Sequence, residues 1–530
     1  MKSYNQATMQ TASEQTSQRR VCGLPLAAWG ILLLTIALSL LWSHNKLLWV
    51  DEFLALYSDG VPTFRDVLNV QLHFPLGIEP PAFHFMTHAS LALFGHNAFA
   101  LRLPALLGFL LFQVCLYLFV ERFAGSRAAL IALALTLATS TVCRSLDARP
   151  YSMMMGLFAL AMAAWQSATR AQDDGRPRLT ALLLLWLAIA LAMTTHYFGV
   201  LILVPLCGAE LLRIVLRRRI DGAVATTLLL GAASIMMVLP FLPGTRIYRQ
   251  HYYPALPVTK LLVLELYRGA LFDNHSPLSH ALQMLAIYAM ALVIIVTLAL
   301  RLRRSIQRDP PQEWLGLALL AALPLFGIAL DLAATHTVLP RYVLPAAFAF
   351  AAGVGIASQP LVQKSRVFYA LLTLLLGAGI YVNLWNTAKD HDRSAETIAS
   401  CDPPAAVKAA LQQDPTQRIY MQTFSQFTIF SYYAPDPVVR SRLTLLIDKQ
   451  QFAYEGVDNV YLMTENLRHF APFPVVPYEE FLQMPHPLLL YYTDTEDKDV
   501  WIDRDLTARG RSMHTFGPWM QGYLAQLDGK

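Results

Sequence analysis

The amino-acid sequence predicts an α-helical polytopic membrane protein of about eleven transmembrane helices, followed by a small C-terminal α/β soluble domain. Three observations predict it. The 530 residues are 55% hydrophobic and only 15% charged, with mean hydropathy +0.41, whereas a soluble globular domain carries about a quarter charged residues. The apolar residues cluster in runs such as 27–41, 103–120 and 222–239, each close to the roughly 20 residues that a helix needs to cross a bilayer core. After Trp385 the composition changes abruptly: charges and prolines appear across 390–404, and no later run is long enough to span.

Taken in order, residues 1–23 are polar up to Arg19 and Arg20 and lead into an apolar segment without a small-residue cleavage site. They read as a cytoplasmic tail before a retained signal-anchor helix. Spans are expected near 24–42, 101–120, 128–143, 151–167, 181–193, 198–212, 222–240, 281–300, 314–331, 342–358 and 367–386. The stretch 81–94 is only 14 residues long and holds two histidines, so it is expected to lie in the interface within a large first outer loop, 43–100. With the N-terminus inside, the cytoplasmic loops hold 18 Lys and Arg in 71 residues and the opposite loops 9 in 119. This asymmetry obeys the positive-inside rule and puts the C-terminus outside; counting 81–94 as a span would place Arg217, Arg218 and Arg219 outside.

Residues 24–386 thus form the membrane domain and 387–530 an extracytoplasmic C-terminal domain. In the latter, strand-like runs at 418–422, 459–464 and 487–492 alternate with helix-like runs at 405–412 and 478–483, the mark of a small α/β module.

The five cysteines, Cys22, Cys115, Cys143, Cys207 and Cys401, are scattered and form neither a disulfide framework nor a zinc pattern. No internal repeat, Walker loop or G-x-G-x-x-G is present, so no nucleotide-phosphate site is signalled. The net charge is +5; in a membrane protein its placement matters more than its sum, and nucleic acid is not an expected partner.

Residues with chemical potential fall on one side of this topology. Trp49-Val50-Asp51-Glu52 follows the first helix, and two adjacent carboxylates at a membrane surface could act as a general base or bind a divalent cation. They could equally cap a helix, whose N-terminus favours acids. Glu79 precedes Pro80-Pro81, which hold the approach to 81–94 stiff and extended. His84 and His88 share a helical face, but no H-E-x-x-H surrounds them, and an interfacial role is the better reading. Arg144, Asp147 and Arg149 crowd a seven-residue outer loop before Tyr151, where pairing of Asp147 with an arginine is the ordinary expectation and a polar rim facing substrate the functional one. His196-Tyr197 and Arg341-Tyr342 begin later spans on the same face; each could merely anchor in the interface. Independent structural charges should fall on both faces, so Asp51, Glu52, Glu79, Asp147, Arg149, His196 and Arg341 together suggest a shared outer site.

The order W-V-D-E after the first helix, E-P-P leading to L-F-G-H-N-A-F-A-L-R-L-P-A-L-L, then L-D-A-R-P-Y-S, T-H-Y-F-G and P-R-Y-V-L-P-A resembles the GT-C superfamily of membrane glycosyltransferases. It is most similar to the branch of protein O-mannosyltransferases and lipid A aminoarabinose transferases. The resemblance covers roughly residues 24–386; nothing after 386 resembles a nameable domain. It implies a GT-C-like fold and inverting transfer of a hexosyl or pentosyl group from a polyprenyl-phosphate sugar. It implies Asp51 as base with Glu52 beside it, and Arg341, aided by Arg149 or Arg246, stabilising the departing phosphate. Glu79, Asp147, Tyr151, His196, Tyr197 and Tyr342 would line the substrates. Glu79 stands where some relatives have His or Lys, and Asp147 where many have Glu. The implied partners are the lipid donor, an envelope acceptor (protein, lipid or glycan) and membrane lipids, in a bacterial inner membrane with its site on the periplasmic face. No cofactor is required, although Asp51 and Glu52 could take a divalent cation. The rival classes are a secondary transporter, against which stands the gathering of candidates at one face, and a non-catalytic membrane scaffold.

Overall fold

The computed structural model describes residues 20–77, 79–244, 246, 258–272, 278–304, 311–335, 338–448, 459–492 and 502–528. A two-residue hairpin, β1 (Arg20–Val21) with β2 (Leu24–Pro25), leads into α1 (Leu26–Asn45). The segment expected as the first outer loop folds into three helices, α2 (Val50–Asp59), α3 (Phe64–His73) and α4 (Ala82–Phe94). The membrane body continues with α5 (Ala98–Ala124), α6 (Ser126–Ala138), α7 (Tyr151–Asp173), α8 (Leu179–Thr195), α9 (Leu203–Arg217), α10 (Gly222–Ala233), α11 (Lys260–Leu271), α12 (His280–Arg304), α13 (Pro311–Ala321), α14 (Leu323–Leu330), α15 (Ala346–Lys364) and α16 (Arg366–Ala399).

Among the described residues, seven helical segments are long and apolar enough to cross a membrane, or up to nine if two bent pairs each count as one span. Those nine coincide with nine of the eleven expected spans. The other two are α7 and α8: α8 is apolar but only 17 residues long, and α7, with Tyr151, Ser152, Gln166 and Ser167 along it, is long enough but not apolar enough. Helix α4 is not among the candidate spans.

Glycine permits the tightest packing. A Cβ at Gly108 of α5 would strike the Met153 backbone, and one at Gly156 of α7 would strike the Gly108 carbonyl, so the two helices touch along a seam only small residues allow. Where α6 gives way to the 3-10 turn Ser140–Leu146 the axis bends by 68°. The Asn383 side chain of α16 donates to the carbonyls freed there, Leu137 O at 2.6 Å and Thr139 O at 3.0 Å. The opposite helix ends carry a dense charge network. Glu313 takes Arg170 through both oxygens at 2.8 Å and Gln166 at 2.8 Å. Arg213 bonds Glu210 at 2.9 Å and Asp221 at 3.1 Å, and Arg178 also holds Asp221.

Helix α16 has 34 residues, about 51 Å at the usual rise, against a bilayer core of about 30 Å. It runs through the expected boundary at 386 and leads into a six-stranded sheet in the order β5-β4-β3-β6-β8-β7. The strands are β3 (Ile419–Met421), β4 (Leu443–Ile447), β5 (Val475–Pro477), β6 (Leu488–Tyr491), β7 (Met513–Trp519) and β8 (Gly522–Leu527); the first four are parallel and the last two form an antiparallel hairpin. Strand β4 is buried at every position, as a parallel strand covered on both faces must be. Its crossovers include α17 (Phe424–Tyr433) and α18 (Asn459–Leu467). Residues 459–464, expected as a strand, are therefore helical. Their β-branched and aromatic composition misled; Met463, Thr464 and Leu467 are buried at helical spacing with Val460 half-buried beside them.

The sheet unit sits on the first outer loop. Leu54 and Leu76 belong to the same buried cluster as Phe427, Leu443 and Leu467. Phe74 stacks on His469 with ring centroids 4.3 Å apart, Asn466 donates to the Pro75 carbonyl at 2.8 Å, and the Tyr433 hydroxyl accepts from Leu48 N at 3.0 Å.

Candidate active site

The acidic pair opens α2, where carboxylates suit the helix N-terminus. Adjacent positions on a helix point about 100° apart, so the two side chains meet different partners. Glu52 is fully buried and takes Arg102 Nε and Nη2 on its two oxygens at 2.7 Å each, while Ala148 N and Trp49 N donate at 3.1 and 3.3 Å. It is a staple between α2, α5 and the loop before α7. Glu52, which the resemblance sets beside the base Asp51, has Arg102 as its partner. With both of its oxygens bonded to Arg102, the pair does not offer a joint divalent-cation site. Among the described residues no three His, Cys, Asp or Glu side chains gather as a metal-binding group.

Asp51 points the other way. Its carboxylate keeps 21% exposure and faces two guanidiniums, Arg149 Nε at 3.6 Å and Arg341 Nη1 at 4.0 Å. Arg149 also contacts Glu79 Oε1, so one arginine bridges the first outer loop and the loop before α7. Gly77 makes room for Glu79: a Cβ there would strike its carboxylate. Glu79 Oε2 is buried with no hydrogen-bond partner among the described residues. Burial alone would raise the Glu79 pKa, but the charges of Arg149, His84 and His196 outweigh it and hold the carboxyl below its ordinary range.

Rings floor the site. The Arg341 guanidinium lies over Tyr151 at 5.7 Å and Tyr342 at 5.9 Å, in cation-π range. His196 packs on Tyr342 at 4.9 Å and on Tyr151 at 5.7 Å, and its Nδ1 accepts from Phe198 N at 3.1 Å. Burial, helped by Arg149 and Arg341 and opposed by Glu79, pushes the imidazole down to about 4. It is therefore neutral at pH 7, with its hydrogen on Nε2. Tyr197 opens the next turn, Tyr197–Ile202, one residue away.

Asp51, Glu79, Arg149, Tyr151, His196, Arg341 and Tyr342 are thus brought together. Asp147 is one step removed: it is buried and bonded to Lys46 and Arg144, each at 3.2 Å. Those charges hold its carboxyl below the usual range although burial opposes them. Arg246 is exposed and joins no ion pair among the described residues. A cavity of about 600 Å³ opens beside the cluster, with Arg341 in its wall. Lys46, Arg144, Arg268 and Arg393 also line it, against only two carboxylates, Asp147 and Asp390, and Trp42, Trp49 and Phe272 supply apolar wall.

Sequence reasoning missed Arg102, Lys46, Arg268 and the Asp59–His84 pair. An arginine within the first two turns of an apolar 27-residue helix was a usable signal for Arg102, because such a charge needs a partner. His84 and His88 turn out to bond Asp59, through its carboxylate and its carbonyl respectively, a partner that sequence reasoning did not name.

Residues 78–243 match the family model described as dolichyl-phosphate-mannose-protein mannosyltransferase. No curated protein sequence matches. The crystal structure of apo ArnT from Cupriavidus metallidurans superposes with TM-score 0.57 at 14% identity, covering 94% of this chain and 98% of that one. The same protein bound to undecaprenyl phosphate gives 0.55 at 14% identity with the same coverage. An oligosaccharyltransferase from Archaeoglobus fulgidus gives 0.44 at 12% identity over 78% of this chain and 64% of that one. A match over 94% of the chain also takes in the region after 386, where the sequence resembled nothing nameable. The resemblance read from the ordered motifs is thereby borne out: this membrane chain has the fold of the GT-C glycosyltransferases.

Proposed function

We propose that this chain is an inverting glycosyltransferase that moves a hexosyl or pentosyl group from a polyprenyl-phosphate donor to an envelope acceptor: a protein, lipid A or another glycan. The observation that carries the reading is the place of Arg341, which faces the partly exposed Asp51 carboxylate and also lines the cation-rich cavity. Asp51 accepts the proton of the acceptor group as its oxygen or nitrogen attacks C1. The bond from C1 to the phosphate oxygen breaks, and the polyprenyl phosphate leaves with the bonding electrons. Arg341 and the neighbouring cations offset the charge that gathers on the leaving phosphate, in a place with little water. Arg149, tethered by Glu79, orients Asp51.

A lipid donor fits a chain without a nucleotide motif, since the isoprenoid can stay in the bilayer while its head group enters the cavity. That ArnT was crystallised with undecaprenyl phosphate supports the donor class. The reading takes all eleven helices, α7 and α8 included, as spans of a bacterial inner membrane, with the N-terminus cytoplasmic and residues 387–530 periplasmic; the charge asymmetry of the loops supports that orientation. It requires no metal.

The test is transfer of radiolabelled sugar by membranes supplied with polyprenyl-phosphate sugars, comparing wild type with Asp51→Asn at matched expression. Label should reach an acceptor in wild type and not in the variant. Equal transfer by both would remove Asp51 as the base.

A further inference from the structure

A second set of buried charges lies at the far end of the helix that carries Asp51. Helix α2 carries Asp51 in its first turn and ends on Asp59, whose side chain is fully buried. Helix α4 meets it with two histidines one turn apart. His84 Nδ1 is 2.7 Å from Asp59 Oδ1, and His88 Nδ1 is 2.9 Å from the Asp59 carbonyl oxygen. Ser58 Oγ adds a bond to Oδ1 at 2.7 Å, while Oδ2 has no hydrogen-bond partner among the described residues. A buried carboxylate in an apolar setting is costly unless a cation offsets it, and the only cation that contacts Asp59 in an ion pair among the described residues is His84.

The tie has a consequence for the site. Glu79 stands five residues before His84, separated from it by the stiff Pro80-Pro81 and the first turn of α4. Fixing α4 to the end of α2 therefore fixes Glu79 relative to Asp51 at the start of α2, and Arg149 spans the gap between those two carboxylates. We propose that the Asp59–His84 pair is a positioning device for the transfer site, holding the Glu79 carboxylate against Arg149 and so keeping the Arg149 guanidinium turned to Asp51. The inference rests on the transfer reading above.

The groups that face His84 are Asp59 from α2, Glu79 from the loop before α4 and Arg149 from the loop before α7; His88 lies on its own helix. Burial pushes the His84 pKa down and Arg149 opposes protonation, but Asp59, by charge and hydrogen bond, and Glu79 together raise it above 6.5. The cation is present below that raised value and is lost as pH rises through it.

The experiment measures kcat and KM for the donor from about pH 6 to about pH 9 in wild type, Asp59→Asn and His84→Gln, with melting and size-exclusion profiles as folding controls. Wild type should show an alkaline limb in kcat. Asp59→Asn should move that limb to lower pH, and His84→Gln should abolish it while lowering kcat by up to about a hundredfold, the scale of a small misplacement of reacting groups, with donor KM little changed. A limb at the same pH in all three proteins, with kcat within about twofold, would overturn the proposal. If the variants fail to fold, histidine NMR on wild type and Glu79→Gln decides: the His84 midpoint should lie above 6.5 and fall when Glu79 is neutral, and an unchanged midpoint overturns it. If folded wild type transfers no sugar, the transfer reading fails, and the same NMR comparison still judges the link between His84 and Glu79.

Discussion

Asp51 and Glu52 are neighbours in sequence with different partners in the structure, and a pair of nearly isosteric amide substitutions separates them. Arg102 is 2% exposed and uses all five of its N–H donors. Two go to Glu52 at 2.7 Å, two to the Ser43 and Lys46 carbonyls at 3.1 Å and one to the Leu47 carbonyl at 3.2 Å. Glu52→Gln removes the only carboxylate in that set and leaves a guanidinium buried among backbone carbonyls. Removing one member of a buried ion pair costs about 3–5 kcal/mol. Asp51 has only long contacts, at 3.6 and 4.0 Å, and when its charge is removed Arg149 keeps Glu79 as a partner, so the loss leaves no guanidinium without a carboxylate as Glu52→Gln does. Glu52→Gln should therefore melt well below wild type in detergent, followed by tryptophan fluorescence, and lose monodisperse yield. Asp51→Asn should melt close to wild type and lose transfer. A Glu52→Gln protein that melts like wild type yet transfers no sugar would refute this division and return the Glu52 carboxylate to the chemistry.

Three further outcomes follow from the same contacts. Arg149→Lys replaces a guanidinium that reaches two carboxylates with a single ammonium; transfer should fall by about tenfold or more with little change in melting, and an unaffected rate would show that bridging Asp51 to Glu79 is unimportant. The Glu79 carboxyl is held below its ordinary 4.5, so the stability it brings is present above that value and is lost as pH falls through the lower folded value. Glu79→Gln should accordingly melt below wild type at neutral pH, and melting curves recorded at falling pH should converge in acid; a gap that persists there would contradict the sign. Gly108→Ala would push a methyl into the Met153 backbone and should cost about 1–3 kcal/mol by overpacking, read as a lowered melting temperature.

Much of the membrane body was legible because apolar length is a local property: nine expected spans fall on helices long and apolar enough to cross. The broken helices were not, since the 68° bend after Ala138 depends on Asn383, more than 240 residues away in sequence, to satisfy the freed carbonyls. The C-terminal sheet was legible only in kind. Its parallel strands are short and mostly buried, which leaves no alternation to read, and an amphipathic helix at 459–467 was mistaken for a strand for want of a long enough window. At the site, charge placement selected the outer cluster, but it could not say which carboxylate of a Asp-Glu dipeptide turns inward. That is decided by Arg102, 50 residues further on.

What distinguishes the Asp51 and Glu79 carboxylates from those at the other helix ends is how fully they are bonded. Glu313 meets Arg170 and Gln166 with both oxygens at 2.8 Å, and Asp221 holds Arg178 and Arg213. Both oxygens of each of these carboxylates are bonded by their own neighbours, although Arg213 Nε and Gln166 Oε1 beside them are buried with no hydrogen-bond partner among the described residues, and the carboxylates act as staples between helices, as Glu52 does. The outer cluster is built from the same residue types but leaves capacity unused. Asp51 faces two cations beyond hydrogen-bond distance, and Glu79 Oε2 and the Tyr151 hydroxyl are buried with no hydrogen-bond partner among the described residues. Unspent hydrogen-bonding capacity next to a cation-lined cavity costs stability in the empty protein. A scaffold gains nothing from that cost, whereas an enzyme recovers it when substrate groups complete the bonds. The argument can fail in a definite way: undecaprenyl phosphate added to the purified protein should raise its melting temperature, and Arg341→Ala should remove most of the rise. A rise that survives Arg341→Ala would place the lipid elsewhere and detach the cavity from Asp51.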